Sequence, residues 1–373
     1  MANILNTHLL SCLGDTNSTL NAIKNSQTAL STKNVLAIEG EVEVPYATFQ
    51  KSIEDSQEGI YSALKKVASQ SLEGLTPTQK SQTALIVGSS IIDWNVIDAI
   101  ESSNYEYKRK EFESHKKSID SYAKELSEEF GLNGFTLTIN TACTSSANAL
   151  LEASNLIDAG LFRYVVVVGL EVFSTIMSSG FYAMQLLSES KIKPFDKQRD
   201  GMILGEAIVS VLVTSEQTPW KILGGFSNCN ALNITSVSEE GDEFVEVMQK
   251  ALESSDTNEK DITALKAHAT GTLSNDISEI NAISKIFSEN LLFTTLKPYV
   301  GHTVGACGAL EIAIFMSAID AGFIPKTINH EEAIMSDFVP LLEHTPCESG
   351  TFMFNYFGFG GNNTSIILKK ELI

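Results

Sequence analysis

The sequence predicts an α/β fold built from two similar halves, and three observations carry that expectation. Short apolar runs such as 164–170 (YVVVVGL) alternate with segments whose apolar residues recur at helical spacing. Such runs match strands of a parallel sheet covered on both faces. Near residue 216 the alternation restarts, and each half places a turn of small or reactive side chains directly after a strand. No repeat is visible in the letters, so the symmetry is expected only in structure. Residues 1–215 and 216–373 are taken as the two halves.

Composition narrows the function. The 373 residues are 43% hydrophobic and 19% charged, enough apolar material for a sizeable core. A net charge of −20 argues against nucleic acid and against an anionic membrane surface. The five cysteines (Cys12, Cys143, Cys229, Cys307, Cys347) are scattered and form no Cys-x-x-Cys pair, so neither a disulfide framework nor a zinc site is expected. The start of the chain lacks a basic region followed by a long apolar one, and no apolar run reaches bilayer length. The expectation is a soluble protein of a reducing cytoplasm.

Taken in order, residues 4–10 read as a strand and 19–29 as a helix capped by Asn17 or Ser18. Residues 53–72 form an amphipathic helix with Ile60, Leu64, Val67 and Ala68 on one face. Residues 83–89 read as a buried strand. The stretch 104–117 is the most basic of an acidic chain, a solvated helix face or a dock for an acidic partner. Residues 131–158 then run strand, tight turn, helix, with Cys143 in the turn. Helical N–H groups and the macrodipole at that turn favour a thiolate, the nucleophilic form, although a packed structural thiol fits the stretch equally well. After the strand at 164–170, residues 181–187 read as helix, 193–206 as a charged loop and 207–213 as a strand. In the second half, 221–226, 262–267, 291–294, 352–357 and 364–369 read as strands. Residues 244–254, 276–287 and 306–319 read as helices, and 358–363 as a hairpin-like tip.

Three stretches carry residues without an obvious packing role. His268 lies in KAHATGTLSND at a strand end. His302 lies in LKPYVGHTVGACGALE, between Lys297 and Glu311. Phe359 sits between glycines in FGFGGNN. A metal site of Cys143, His268 and His302 lacks the short ligand spacing of zinc motifs. A Cys-His protease needs only one base and leaves a histidine idle.

TACTSSANAL, PFDKQRDG, HATGTLSND, LKPYVGHTVGACGALE and NYFGFGGNN, in this order along the chain, resemble the signature motifs of the β-ketoacyl–acyl carrier protein synthases, condensing enzymes of fatty acid and polyketide synthesis. The resemblance implies a thiolase-like fold, two pseudo-symmetric halves in a five-layered αβαβα core, in a homodimer or in a heterodimer with a related ketosynthase subunit. It implies an acyltransferase. Cys143 would hold an acyl thioester, malonyl–acyl carrier protein would lose carbon dioxide, and the enolate would attack the thioester. His268 and His302 would stabilise that enolate as neutral donors. The N–H groups of Cys143 and Phe359 would form the other oxyanion hole, with glycines Gly358 and Gly360 giving Phe359 freedom to swing as a gate. Lys297 and Glu311 would be a buried tuning pair, and Thr270 and Thr272 would hold the phosphopantetheine arm. No cofactor is implied; substrates arrive on the phosphopantetheine of acyl carrier protein or on coenzyme A.

The chain departs from the family pattern in places. It is short, with weak family signals in its first 80 residues. Asn148 stands where many members have histidine, Met202 where a phenylalanine gate is common, and Ala207 where glycine follows Gly205-Glu206. These changes bear on pocket length and acyl preference. The acidic charge would repel an acidic carrier protein, so Lys65, Lys66, Lys108 and Arg109 are the expected local dock. Among rivals, a thiolase would need a cysteine in the FGFGGNN loop. A type III synthase would pair one histidine with asparagine. A chain-length-factor partner subunit would usually lack the nucleophile.

Overall fold

The structure, a computed structural model, describes residues 1–49, 57–90, 119–230 and 238–372. The first half contributes strands β1 (Asn3–Ser11), β2 (Thr83–Gly88), β3 (Thr136–Ile139), β4 (Tyr164–Glu171) and β5 (Ala207–Thr214). Its helices are α1 (Thr16–Lys24), α2 (Gln57–Ser71), α3 (Ile119–Glu129), α4 (Ser145–Asp158) and α5 (Thr175–Ala183). The second half contributes β6 (Trp220–Cys229), β7 (Ile262–Lys266), β8 (Phe293–Thr294), β9 (Gly350–Phe357) and β10 (Asn362–Lys370). With them come α6 (Asp242–Ser254), α7 (Leu273–Ile286) and α8 (Cys307–Asp320).

The two halves share one topology. The first orders its strands β1-β5-β4-β2-β3 and the second β6-β10-β9-β7-β8. In each, the first two pairings are antiparallel and the last two parallel. A short antiparallel contact, Asn3 with Lys221 and Ile4 with Trp220, joins them edge to edge. The side chains of each strand alternate between two cores. Ala84, Ile86, Val165, Val167, Val209 and Val211 point inward, to α4 and α8. Leu85, Val87, Val166, Val168, Ile208 and Leu212 point outward, to α2 and α3. In the second half Phe352, Phe354, Ile366 and Leu368 face the shared centre, while Leu265, Met353 and Ile367 face α6 and α7. The layers are therefore helix, sheet, helix, sheet, helix.

The centre is possible because two helices cross closely there. A Cβ on Gly308 would lie 2.3 Å from the backbone nitrogen of Ala147. Ala309 N–H donates to Ser146 Oγ at 3.0 Å. Helix α8 is apolar all round, as a helix buried on every side must be, with Glu311 its buried charge. The N-terminal turns of α4 and α8 are thus held together, and they carry Cys143 and His302.

Several expectations shift. Helix α1 starts earlier than residue 19, because Asp15, not Asn17 or Ser18, caps it by accepting from Ser18 N–H at 2.9 Å. The helix expected at 181–187 is Thr175–Ala183; Ser174 caps it and a left-handed Gln185 follows. Residues 31–47, where the sequence predicts no element, form a hairpin of Ser31–Ala37 and Gly40–Ala47. Its second strand pairs in parallel with Leu204–Gly205 of the charged loop. Both are polar, half-exposed segments, where apolar periodicity gives the weakest signal.

Candidate active site

Strand β3 ends at Ile139, and the chain turns through a left-handed Ala142 (φ 52°) into a short 3-10 turn, Ala142–Thr144, before α4 begins. Cys143 sits in that turn, 1% exposed. In the second half Val304, also left-handed, opens the matching turn Val304–Ala306 ahead of α8. Just before it lies His302, whose Nε2 is 3.1 Å from Cys143 Sγ. The strand pair β9–β10 brings its tip over the same sulfur. A Cβ on Gly358 would stand 3.4 Å from both Cβ and N of Cys143, and Gly360 and Gly361 take positive φ. The N–H of Phe359 and that of Cys143 itself both act on the sulfur. The Phe359 ring is half-buried against Phe181, centroids 5.5 Å apart.

His268 follows β7 and is edge-on to His302 at 5.3 Å between ring centroids. Its backbone N–H and that of left-handed Ala269 donate to the two oxygens of Glu279 in α7, each at 2.7 Å. Lys297 Nζ lies 3.3 Å from His268 Nδ1. An ammonium only donates, so Nδ1 accepts and the ring proton resides on Nε2. Burial holds both imidazoles well below their usual pKa, and the charges of Lys297 and Lys266 add to this. Both rings are neutral at neutral pH.

Lys297 donates to Glu311 Oε1 at 2.8 Å, the pair expected from sequence. The structure adds a third member. Lys266 Nζ donates to Glu311 Oε2 at 2.5 Å and to the Asn355 carbonyl at 2.8 Å, and it lies 3.7 Å from the centroid of the Tyr356 ring. All three side chains are buried. Sequence reasoning missed Lys266, although a lysine inside the apolar strand ITALKAHA, two residues before His268, was the available signal.

One expectation about the nucleophile is reversed. The helix N-terminus was expected to favour thiolate; here burial dominates and pushes the Cys143 thiol up to about 11, against the N–H of Phe359 and the charge of Lys297. Cys143 thus presents a neutral thiol to a neutral imidazole.

The other sequence candidates take structural places nearby. Thr270 and Thr272 are buried and bonded to each other through their hydroxyls at 2.9 Å. Met202 is fully buried. The PFDKQRDG loop works as a clamp: Asp196 accepts from Gln198, Glu331 and Glu332 N–H, and Arg199 donates to the carbonyls of Asp196, Thr272 and Leu273. Asn148 bonds Thr141, Thr144 and Thr364 and lines a cleft of about 580 Å³ along α4 with Leu137, Ile139 and Phe226. Of the expected dock, Lys65 is tied to Glu129 at 2.7 Å, Lys66 shares its helix on the outer layer, and Lys108 and Arg109 lie outside the described residues. Among the described residues no group of three or more His, Cys, Asp or Glu is arranged to hold a metal ion, and no helix is long and apolar enough to cross a membrane.

Comparison with known proteins places this geometry. The profile "Beta-ketoacyl synthase, N-terminal domain" matches residues 26–218, and "Beta-ketoacyl synthase, C-terminal domain" matches 221–331. The first match reaches into the stretch whose family signals were weak. The chloroplast 3-oxoacyl-[acyl-carrier-protein] synthase I of Arabidopsis thaliana is 31% identical over 65% of this chain and 55% of its own length. The 3-oxoacyl-[acyl-carrier-protein] synthase 2 of Vibrio harveyi is 29% identical over 84% of this chain and 81% of its own. Among solved structures, a ketosynthase in complex with its chain length factor from Xenorhabdus doucetiae superposes with a TM-score of 0.86 at 23% identity, covering 99% of this chain and 98% of that one. A β-ketoacyl synthase from Burkholderia phymatum gives 0.83 at 21% identity, covering 100% and 99%. The fold is that of the thiolase-like ketosynthases.

Proposed function

The chain belongs to the β-ketoacyl synthase family, and from that premise we propose that it is a catalytic condensing subunit, joining an acyl group held on Cys143 to a malonyl unit delivered by acyl carrier protein. The observation that carries this reading is the contact of Cys143 Sγ with His302 Nε2 at 3.1 Å, with His268 beside it and the Phe359 N–H at the sulfur.

In the first half-reaction the Cys143 sulfur adds to the acyl thioester. Its proton passes through His302 Nε2 to the departing pantetheine sulfur. The N–H groups of Cys143 and Phe359 meet the tetrahedral oxygen. In the second, the malonyl carboxylate leaves as carbon dioxide, and its electron pair moves onto the thioester oxygen. His268 is already set to meet that charge, because Lys297 fixes the ring proton on Nε2. Among the described residues His302 Nδ1 has no hydrogen-bond partner that would fix its tautomer, which supports Nε2 as acceptor in the first half-reaction and donor in the second. The enolate carbon then attacks the acyl-cysteine and releases Cys143 sulfur, which regains a proton.

A chain-length-factor role, as in the partner named with the Xenorhabdus ketosynthase, requires no nucleophile. The intact Cys143, His268 and His302 set supports the catalytic reading. The test is carbon dioxide release from malonyl–acyl carrier protein by the purified chain, alone and with a co-purified partner. Wild type should be active, and Cys143→Ala should decarboxylate but form no β-ketoacyl product. A wild type inert in both settings sinks the reading.

A further inference from the structure

Glu311 is shared by two ammoniums, and only one of them touches a histidine. Lys297 bonds Oε1 and reaches His268 Nδ1; Lys266 bonds Oε2 and reaches the Asn355 carbonyl and the Tyr356 ring. Glu311 is the carboxylate bonded to both of these buried cations; Glu279, itself pushed toward its neutral form by burial, acts on both from the neighbouring helix. A buried charge not balanced by a partner is costly, so a surplus ammonium inside the core calls for a reason. Packing alone does not supply one. The carbonyl and the aromatic face would accept a neutral donor as well, and a lysine–glutamate pair would be complete with Lys297 alone.

We infer that Lys266 is a positioning residue for the decarboxylating half of the site: by occupying Glu311 Oε2 it leaves Lys297 incompletely neutralised, so that Lys297 keeps its hydrogen bond to His268 Nδ1 and holds the His268 proton on Nε2. This deepens the condensing-enzyme reading and rests on it. Two consequences follow from geometry. Without Lys266, Glu311 is free to take Lys297 with both oxygens, and the link to His268 loosens. The surplus positive charge, which opposes protonation of the imidazoles and favours a developing enolate, is also lost.

The groups facing His268 come from every neighbouring element. Lys266 lies on its own strand. Glu279, with Asp276 beside it, comes from α7. Lys297 and His302 come from the 297–302 segment; behind them stand Glu311 and Cys307 of α8, which act on Lys297, and Cys143 of the turn before α4, which meets His302. Glu279, pushed up to about 7 by burial, is the acidic neighbour of the His268 backbone. The ammoniums of Lys297 and Lys266 are the cations that act on the ring. Lys266 itself is drawn down to about 8, chiefly by burial, so its charge is present at neutral pH and fades in mild alkali.

The test compares wild type, Lys266→Gln and Lys266→Arg. Glutamine keeps a donor and removes the charge; arginine keeps the charge. Nitrogen-15 NMR of labelled histidine reads the tautomer and titration of His268 without any need for activity. Wild type should show the proton on Nε2 and no protonation across the range in which the fold stands. Lys266→Gln should show mixed tautomers or protonation at higher pH, and Lys266→Arg should restore the wild-type spectrum. In parallel, malonyl decarboxylation should fall about tenfold in kcat in Lys266→Gln, with an acid limb that wild type does not show and KM little altered. Acylation of Cys143 should still proceed, which marks the variant as folded. Coincident histidine titrations in wild type and Lys266→Gln overturn the inference. A wild type that acylates Cys143 yet never decarboxylates counts against the condensing reading instead, and the NMR comparison still decides the part played by Lys266.

Discussion

At the scale of single residues, the site is governed by burial more than by pairing. Cys143, His268 and His302 are each at most 1% exposed, and in each case desolvation is the leading cause of the shift toward the neutral form. A neutral thiol and two neutral rings suit a reaction that creates an oxyanion in a dry cavity, because donors aimed at that charge gain strength as water is excluded. The consequence is measurable. If the Cys143 thiol titrates near 11, its alkylation by iodoacetamide should rise about tenfold per pH unit from pH 7.5 to 9.5, since the thiolate is the reacting form. The rate is followed as intact mass, with Cys143 located by peptide mapping. A rate already level above pH 7.5 would mean that the turn before α4 holds a thiolate after all. That Cys143, His268 and His302 would come together could be read from sequence because each lies in a turn of small residues with no packing role. Lys266 and Glu279 were not legible there, since each looks like an ordinary charged residue until the fold buries it against a partner.

At the scale of elements, the decisive feature is the crossing of α4 and α8. Residues 143–147 and 302–309 come from opposite halves of the chain, and they meet because Ala147, Gly308 and Ala309 allow two helix starts to touch. Gly308→Val should therefore cost about 2–4 kcal/mol in a denaturant melt, since its Cβ would fall on backbone that cannot retreat. It should also slow Cys143 acylation by displacing the turn. Gly180→Ala in α5 is the matched control: a Cβ there meets nothing within 4 Å, and the change should be neutral or stabilising. Equal losses in both variants would remove the crossing from the explanation. The strands at 83–88, 164–171 and 207–214 were legible almost to the residue because their runs are buried on both faces. The small-residue stripe was not, because glycine and alanine in a helix signal a close neighbour only once the neighbour is known. The hairpin at 31–47 escaped for a different reason: Val35 is its one buried side chain before the turn, too little to set a period.

At the scale of the whole molecule, two buried carboxylates set a pH dependence that the net charge of −20 does not foretell. Glu171 ends β4 and accepts from Ser90 Oγ at 2.7 Å and from Gly305 N–H at 2.8 Å, both on Oε2, while Oε1 has no partner among the described residues. Burial pushes it up to about 7, against those donors; Glu279 is pushed to a similar value. A carboxyl whose folded pKa lies above its unfolded value contributes stability fully below pH 4.5, and that stability is lost as pH rises toward 7. The two histidines act in the opposite sense. Their folded pKa values are depressed, so their contribution is present above pH 6.5 and lost as pH falls below it. The opposed slopes leave a broad optimum, which hides each group from a simple melt of the wild type. Substitution exposes one of them. Glu171→Gln keeps an acceptor and cannot ionise, so the difference in stability between the variant and wild type should grow in the variant's favour from pH 4.5 to 7. The gain should total about 3 kcal/mol, with no further change above pH 7. Thermal melts at half-unit steps from pH 4.5 to 8 measure it. The absolute offset at pH 4.5 carries the cost of an amide N–H placed where Oε1 stood, and only the slope reports the titration. A constant difference across the range would mean that Glu171 is already ionised in the fold at pH 5, and that the unpartnered oxygen is solvated by a route other than the Ser90 and Gly305 donors.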